Sequence, residues 1–81
     1  GIFISPTFQN QGLGTEAIAE LIRIGFNELN LEEIRLIVFS HNERAIHVYE
    51  NLGFREYNRI TAVTTRNNEP VDDIYMVLRR N

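Results

Sequence analysis

The sequence predicts a small α/β domain, an α+β arrangement with a mixed sheet and the element order β-α-β-α-β-β. Three observations predict it. Short apolar runs alternate with segments of helical periodicity, glycine or asparagine stands where the period changes, and a turn-rich stretch separates the last two runs. The 81 residues allow one domain, and a chain of this length buries about 60–65% of the surface that it exposes when unfolded. The predicted core is therefore small.

The first part of the chain predicts a strand, a loop and a helix. Residues 2–4 are apolar and stop before Pro6, which cannot continue a central strand. A polar loop with two glycines follows. Apolar residues then recur at i, i+3, i+4, i+7 and i+11 from Ile18 to Leu29. This spacing predicts a helix of about four turns with one apolar face, and Asn30 is a residue type at which helices end.

The middle of the chain predicts the central strand and a second helix. Residues 34–39 are largely apolar on both faces, which is typical of a strand inside a covered sheet. Asn42 is a good helix N-cap and Glu43 suits the positive end of a helix. Gly53 predicts the end of that helix.

The last part predicts two strands, at residues 54–64 and 74–78, joined by a hairpin connection at 66–70. Crossovers between parallel strands are right-handed in nearly all proteins. If the strands progress in one direction across the sheet, both helices lie on the same face. The other face then has no helix of this chain to cover it.

Composition excludes several classes of function. The net charge is −3, from 11 acidic residues against 8 arginines, which disfavours nonspecific binding to nucleic acid or to anionic membranes. No apolar window approaches the roughly 18 residues of a membrane span and no signal-peptide pattern is present, so we expect a cytoplasmic protein without a membrane partner. The absence of cysteine excludes disulfides, thiolate metal sites and a cysteine nucleophile. Two histidines are too few for a convincing metal site, so no metal is expected.

The loop at residues 9–14 could be a tight turn that needs glycine only for its geometry. Three functional interpretations are also open. Glycines before a helix N-terminus form an anion site suited to phosphate. A P-loop is excluded because no Gly-Lys-Ser/Thr follows the glycines. Gly12-x-Gly14-x-x-Ala17 matches a dinucleotide fingerprint, but the acids at 32–33 precede the second strand, whereas the ribose-binding acid follows it.

The third interpretation is more specific. Gln9-x-x-Gly12-x-Gly14 followed by Thr15-Glu16-Ala17 resembles the acyl-CoA pyrophosphate loop of the GNAT N-acetyltransferases, whose pattern is Arg/Gln-x-x-Gly-x-Gly/Ala. Residues 42–54 resemble the second signature of the family, an Asn-x-x-Ala helix that carries a tyrosine and ends in Gly-Phe. The resemblance covers essentially the whole chain and is closest to the branch with the ribosomal-protein and spermidine N-acetyltransferases.

This resemblance implies an acetyl-CoA site. In the family, acetyl-CoA lies in a V-shaped opening between two parallel strands, which here correspond to residues 2–4 and 34–40. The backbone of Phe3 and Ile4 is expected to pair with the pantetheine amides. Asn42 is expected to contact the pantetheine arm, or only to cap its helix. The expected pyrophosphate-binding amides are those of Gln11, Gly12, Leu13, Gly14 and Thr15.

The resemblance also implies a catalytic role for Tyr49, since a hydroxyl near the sulfur can protonate the departing thiolate as a general acid. Periodicity alone favours a core tyrosine at this position. His47 and Arg44 are expected on the helix surface, although Arg44 could reach the nucleotide 3′-phosphate. His41 at the end of a strand could serve as a base.

The implied reaction is the transfer of an acetyl group from acetyl-CoA to a primary amine, which could be a protein N-terminus, a polyamine or a small-molecule amine. Residues 1–81 correspond to the C-terminal, acetyl-CoA-binding half of one GNAT domain. The expected N-terminal half, with most of the acceptor pocket, is absent from this sequence. We therefore expect the chain to form a homodimer or to pair with that half. The alternative is a noncatalytic fragment that keeps part of the fold by pairing with another chain.

Overall fold

The computed structural model describes residues 2–4, 15–66 and 69–80. The elements follow the predicted order. They are β1 (Ile2–Ile4), α1 (Thr15–Arg23) continued by a π-helical turn (Ile24–Glu28), β2 (Glu33–Phe39), α2 (Glu43–Asn51), β3 (Arg55–Arg66) and β4 (Glu69–Arg79). No helix within these ranges is both long and apolar enough to cross a membrane.

The four strands form one mixed sheet in the order β1-β2-β4-β3. β1 pairs with β2 in parallel, while β4 is antiparallel to both β2 and β3. The prediction that residues 34–39 form a central strand is confirmed, because β2 lies between β1 and β4. The predicted mixed α/β fold class is likewise confirmed.

Both helices pack on the same face of the sheet, as the crossover rule predicts. Ile34, Leu36 and Val38 of β2 are fully buried there, and they form one cluster with residues from the helices and from β4. We call this the helix-covered face. Ile18 of α1 and Tyr49 of α2 are the buried helix residues in the cluster. The apolar periodicity of both helices is therefore explained by a single shared core, except at Leu29, which was expected on the apolar face and is 58% exposed because it follows the π-helical turn.

The opposite face carries the alternate residues of the same strands. Arg35, Ile37 and Phe39 of β2 stand opposite Val77, Tyr75 and Asp73 of β4, and directly opposed residues of antiparallel strands share a face. No helix of the described residues packs there, as expected. We call this the helix-free face.

The first helix differs from the prediction in its last turn. It is α-helical to Arg23 and then widens into the π-helical turn, in which the Leu29 N–H donates to the Ile24 carbonyl at 2.9 Å. A Cβ on Gly25 would lie 3.0 Å from Cδ1 of Ile34, so glycine allows the turn to approach β2 closely. Asn30, with φ at 56°, ends the helix where predicted.

Arg80 fastens this turn to the sheet. Its guanidinium donates to the carbonyls of Phe26 and Leu31, the latter at 2.9 Å, and lies 5.5 Å from the centre of the Phe26 ring. The wide turn leaves carbonyl groups without their usual helical donors. An arginine from the end of β4 therefore bonds one carbonyl within the turn and one just after it.

The last two strands are longer than predicted, and the residues 67–68 between them lie outside the described ranges. Pro70 was expected in the connection but lies in β4, opposite Thr65. β2 pairs with β4 only as far as Asp73, so among the described residues β4 near Pro70 pairs with β3 alone. Proline is tolerated in strand segments that pair on one side, where its nitrogen can face away from the partner strand.

Candidate active site

The start of α2 is fixed to the carboxyl end of β2. Asn42 Oδ1 accepts a hydrogen bond from the Ala45 N–H at 3.3 Å, and the Asn42 N–H donates to the Phe39 carbonyl at 2.9 Å. Ser40 Oγ accepts from the Asp72 N–H at 2.8 Å, so the turn is also tied to β4. The predicted helix cap is confirmed. The pantetheine contact of Asn42 stays a prediction.

The end of α2 holds Tyr49 in place. The Phe54 N–H donates to the Tyr49 carbonyl and the Gly53 N–H donates to the Glu50 carbonyl, both at 3.0 Å. Gly53 has a φ of +106°, which completes a Schellman motif. The rings of Tyr49 and Phe54 meet edge to face at 5.8 Å and 65°. The Gly-Phe pair after the helix therefore positions the tyrosine through both its carbonyl and its ring.

Tyr49 lies in the core with 4% of its surface exposed. Burial raises the pKa of its phenol above the ordinary value of 10.0, because the charged phenolate loses solvation there. The hydroxyl therefore keeps its proton at neutral pH. Tyr49 is the core residue that periodicity indicates, and it is also in the protonation state that a proton donor needs.

The register of β1 and β2 locates the possible opening between them. Phe3 and Ile4 stand opposite Arg35 and Leu36, and β2 then continues three residues further to Phe39. Within the described residues the pairing of β1 with β2 ends at Ile4, and this is the place at which the expected V-shaped opening would start. It then adjoins the end of β2 at which α2 starts.

The remaining expected cofactor contacts are partly outside the described ranges. Gln11, Gly12, Leu13 and Gly14 are among the residues that the structure does not describe, so their pyrophosphate role stays a prediction. Thr15 is the first residue of α1 and is exposed. Its amide therefore belongs to the N-terminal turn of the helix that follows the loop, a position suited to an anion.

The other polar residues singled out from the sequence lie at the surface. Arg44 and His47 are exposed on α2, as expected. His41 is exposed and stacks on Phe39 with ring centres 5.9 Å apart. Within the described ranges, no group of three or more histidine, aspartate or glutamate side chains is arranged to hold a metal ion.

A cavity of about 720 Å³ lies at the opposite end of the sheet from Asn42. It includes Arg55, Arg79 and Arg80 in its lining. Arg55 donates to the carbonyls of Glu50 and Phe54, at 3.1 and 2.7 Å, and Arg80 bonds carbonyls as described above. Two of its arginines thus hold main-chain carbonyls, which is a structural role. The cavity lies away from Asn42 and the carboxyl end of β2, although Leu52 and Gly53, which follow Tyr49 closely in the chain, are in its lining.

Comparison with known proteins identifies the family. The model of the Acetyltransferase (GNAT) family matches residues 1–54, which include the glycine loop, β2 and the whole of α2 with Gly53 and Phe54. The chain belongs to the GNAT acetyltransferase family. The family expected from the two sequence motifs is therefore confirmed.

Relatives within the GNAT family include enzymes with different acceptors in their names. The chain is 49% identical over 53 residues to the spermidine N(1)-acetyltransferase of Escherichia coli K12, covering 65% of this chain and 28% of that protein. It is 34% identical over 76 residues to the L-amino acid N-acetyltransferase AaaT of the same strain, covering 94% of this chain and 47% of that protein.

Solved structures show the same fold. The dodecameric spermidine N-acetyltransferase from Vibrio cholerae superposes with a TM-score of 0.73 at 30% identity, over 91% of this chain and 43% of that one. The chain thus spans less than half the length of these three GNAT relatives.

Sequence reasoning missed the polar groups of the helix-free face. Asp73 was placed in no predicted strand, yet it lies in β4 with one carboxylate oxygen buried. Tyr57 and Tyr75 were also not singled out, and their rings meet edge to face at 6.1 Å. The available signal was the alternation from residue 71 onward, in which Val71, Asp73 and Tyr75 share one face of a strand.

Proposed function

We propose that the protein transfers an acetyl group from acetyl-CoA to a primary amine, and that residues 1–81 form the C-terminal, acetyl-CoA-binding half of its GNAT domain. The observation that carries this proposal is the placement of Tyr49. Its phenol is buried and keeps its proton. The residues Gly53 and Phe54 hold it in place on α2, the helix that starts at the carboxyl end of β2. The family match over residues 1–54 supports it.

Acetyl-CoA is the acetyl donor of the GNAT family, and we propose that it binds to this part of the chain. We infer that the backbone of Phe3 and Ile4 pairs with the pantetheine amides where β1 stops pairing with β2. The capped N-terminus of α2 places Asn42 beside the same end of the sheet. The amides of residues 11–15 then hold the pyrophosphate at the start of α1, where the helix dipole favours an anion.

The proposed chemistry needs a proton at one atom. When an unprotonated amine attacks the thioester carbonyl, the C–N bond forms, the C–S bond breaks and the sulfur leaves as a thiolate. The Tyr49 hydroxyl donates its proton to that sulfur as general acid. The nitrogen releases one proton to solvent as the amide forms, and the Tyr49 phenolate later regains a proton from solvent. The raised pKa of the Tyr49 phenol suits this role, because the group remains a donor throughout the neutral range.

The class of acceptor follows from the relatives. Their names specify spermidine and L-amino acids, and both compounds carry a primary amine. We therefore propose a primary amine as acceptor, taken from the polyamines, small-molecule amines or protein N-termini. Further, we propose a homo-oligomer or pairing with the N-terminal half, since one solved relative is a dodecamer. The expected cytoplasmic location stays a prediction that cell fractionation tests.

Calorimetry with the natural full-length protein tests the cofactor assignment. Acetyl-CoA is expected to bind and NAD is not. Gly12→Val is expected to remove most of the acetyl-CoA affinity, because the added side chain blocks the approach of the pyrophosphate to the loop backbone. Ala19→Val makes a change of similar size at an exposed position of α1 and is expected to leave binding unchanged.

The outcomes separate the alternatives. Binding of NAD without acetyl-CoA contradicts the assignment and restores the dinucleotide interpretation of the glycine loop. Binding of acetyl-CoA without turnover on any primary amine favours the noncatalytic fragment. Turnover with a primary amine supports the proposed enzyme.

A further inference from the structure

The cavity of about 720 Å³ lies at the amino end of β2, because Arg79 in its lining stands opposite Glu33, the first residue of that strand. Asn27 of the π-helical turn and Gly53 after α2 also line it, so both helices end beside it. Small-molecule sites have volumes of about 300–1,000 Å³. The cavity is therefore large enough for a small organic ligand.

Positive charge exceeds negative charge in the described lining of this cavity. Arg55, Arg79 and Arg80 contribute three guanidinium groups, and Glu56 contributes one carboxylate. Glu56 pairs with Arg59 at 3.0 Å, so its charge is already offset. The two helix ends supply about half an elementary negative charge each, which offsets about one of the three guanidinium charges. The cavity is therefore suited to an anionic ligand.

Arg55 keeps the edge of its guanidinium that is best suited to an anion. It bonds the carbonyls of Glu50 and Phe54 through Nη1 alone, at 3.1 and 2.7 Å. Its Nε and Nη2 donors have no partner among the described residues. These two nitrogens form a planar fork that binds a carboxylate or a phosphate through two parallel hydrogen bonds. Capping α2 and binding an anion are therefore compatible tasks for this side chain.

Arg79 is placed to contact the same anion. Arg55 stands opposite Val77, which lies two residues before Arg79 on the same face of β4. Diagonal neighbours of this kind are about 7–8 Å apart, which is within reach of long side chains. The Arg79 side chain is 70% exposed and makes no hydrogen bond within the described ranges, since the Glu33 carboxylate lies 3.8 Å from its Nε. Its donors are therefore available to a ligand.

We propose that this cavity binds a small organic anion, with a carboxylate or phosphate group held by Arg55 and Arg79. Half-buried apolar side chains of Phe26, Leu52 and Leu78 line the same cavity and provide a surface for the apolar body of the ligand. The site gives the protein a second ligand beside the acetyl-CoA proposed at the other end of the sheet.

Binding measurements on the natural full-length protein test this inference without relying on turnover. Benzoate and phenyl phosphate serve as probes in calorimetry, with saturating acetyl-CoA present so that the proposed pyrophosphate loop is already occupied. Phenol has the same ring without the anionic group and is the matched uncharged probe. At least one of the two anions is expected to bind, and the one that binds more tightly identifies the favoured group as a carboxylate or a phosphate. Phenol is expected not to bind.

The variant Arg79→Gln locates the bound anion. It is expected to weaken anion binding by about 10-fold, which is the low end for a charged hydrogen bond because solvent and salt screen a side chain this exposed. Arg23→Gln is the matched control, since it removes an exposed arginine of α1 that pairs with Glu20 and Glu28. It is expected to leave the anion affinity unchanged, and neither variant is expected to change the Tm.

Binding of neither anion to the wild-type protein overturns the inference, as does an unchanged anion affinity in Arg79→Gln. Equal losses of anion affinity in Arg79→Gln and Arg23→Gln also overturn it, because they indicate an effect of overall charge. Phenol that binds as tightly as the anions contradicts recognition by the arginines. A fall in Tm together with the anion affinity of Arg79→Gln would indicate a structural role and likewise overturn the inference.

Discussion

The two faces of the sheet differ in chemistry although they are built from alternate residues of the same strands. On the helix-covered face, Leu36 and Val38 are fully buried among apolar side chains from both helices. On the helix-free face, Arg35 and Asp73 lie among aromatic rings, and Phe3 is 50% exposed. The first face can therefore be explained by packing alone. The second combines charged groups and aromatic rings with a buried oxygen of Asp73 that has no hydrogen-bond partner among the described residues.

This difference assigns separate tasks to neighbouring residues. Because side chains alternate along a strand, consecutive residues of β2 and β4 serve different faces. A substitution in one residue and the same substitution in its neighbour therefore compare two environments at almost the same place along the chain. The predictions below use such pairs.

The largest expected effect concerns consecutive residues of β2. Leu36→Ala removes a fully buried side chain from the helix-covered core, and we expect it to lower the free energy of unfolding by about 2–5 kcal/mol. Ile37→Ala, on the half-buried helix-free face, is expected to lower it by about 1–2 kcal/mol. Chemical denaturation of the natural full-length protein measures both. Equal losses of unfolding free energy in the two variants would show that residues beyond the described ranges cover the helix-free face as completely as the helices cover the other face.

A smaller loss of stability is expected for substitutions of Arg79, the last residue of β4, and of Arg80, which follows it. Arg80→Ala removes the donors to the carbonyls of Phe26 and Leu31, and it should lower the free energy of unfolding by about 1.5–3 kcal/mol. Arg79→Ala removes an arginine whose side chain is 70% exposed and 3.8 Å from Glu33, so a change within about 0.5 kcal/mol is expected. Thermal melting compares the stability of the two variants. Equal effects would mean that Arg80 does not fasten the π-helical turn.

The helix-covered face was predictable from the sequence because it depends on local periodicity. The spacing from Ile18 to Gly25, the Asn42 cap and the Gly53 stop each correspond to one hydrogen-bonded or packed feature of the structure. Leu29, which the same spacing placed on the apolar face, is exposed after the π-helical turn. The π-helical turn was not predictable in this way. It depends on the close approach of Gly25 to Ile34 and on Arg80, which is more than fifty residues away in the chain.

The helix-free face was predictable only in part. That no helix covers it followed from the crossover rule, but Asp73 was missed because Pro70 and the two aspartates after it resemble a loop. They lie in a strand since β4 there pairs with β3 over a longer stretch than with β2. The role of Tyr49 likewise came from the family motif, because periodicity alone makes it a core residue.

Turnover of the Tyr49→Phe variant tests the central claim most directly. The natural full-length protein, Tyr49→Phe and the control Tyr57→Phe are compared with a primary-amine acceptor whose chemical step limits the rate. Tyr49→Phe is expected to lower kcat by about 10²-fold with little change in acetyl-CoA affinity, since only the donor hydroxyl is lost. Tyr57→Phe, on exposed β3, is expected to retain full turnover. Unchanged kcat in Tyr49→Phe would contradict the account and leave Tyr49 as a packing residue.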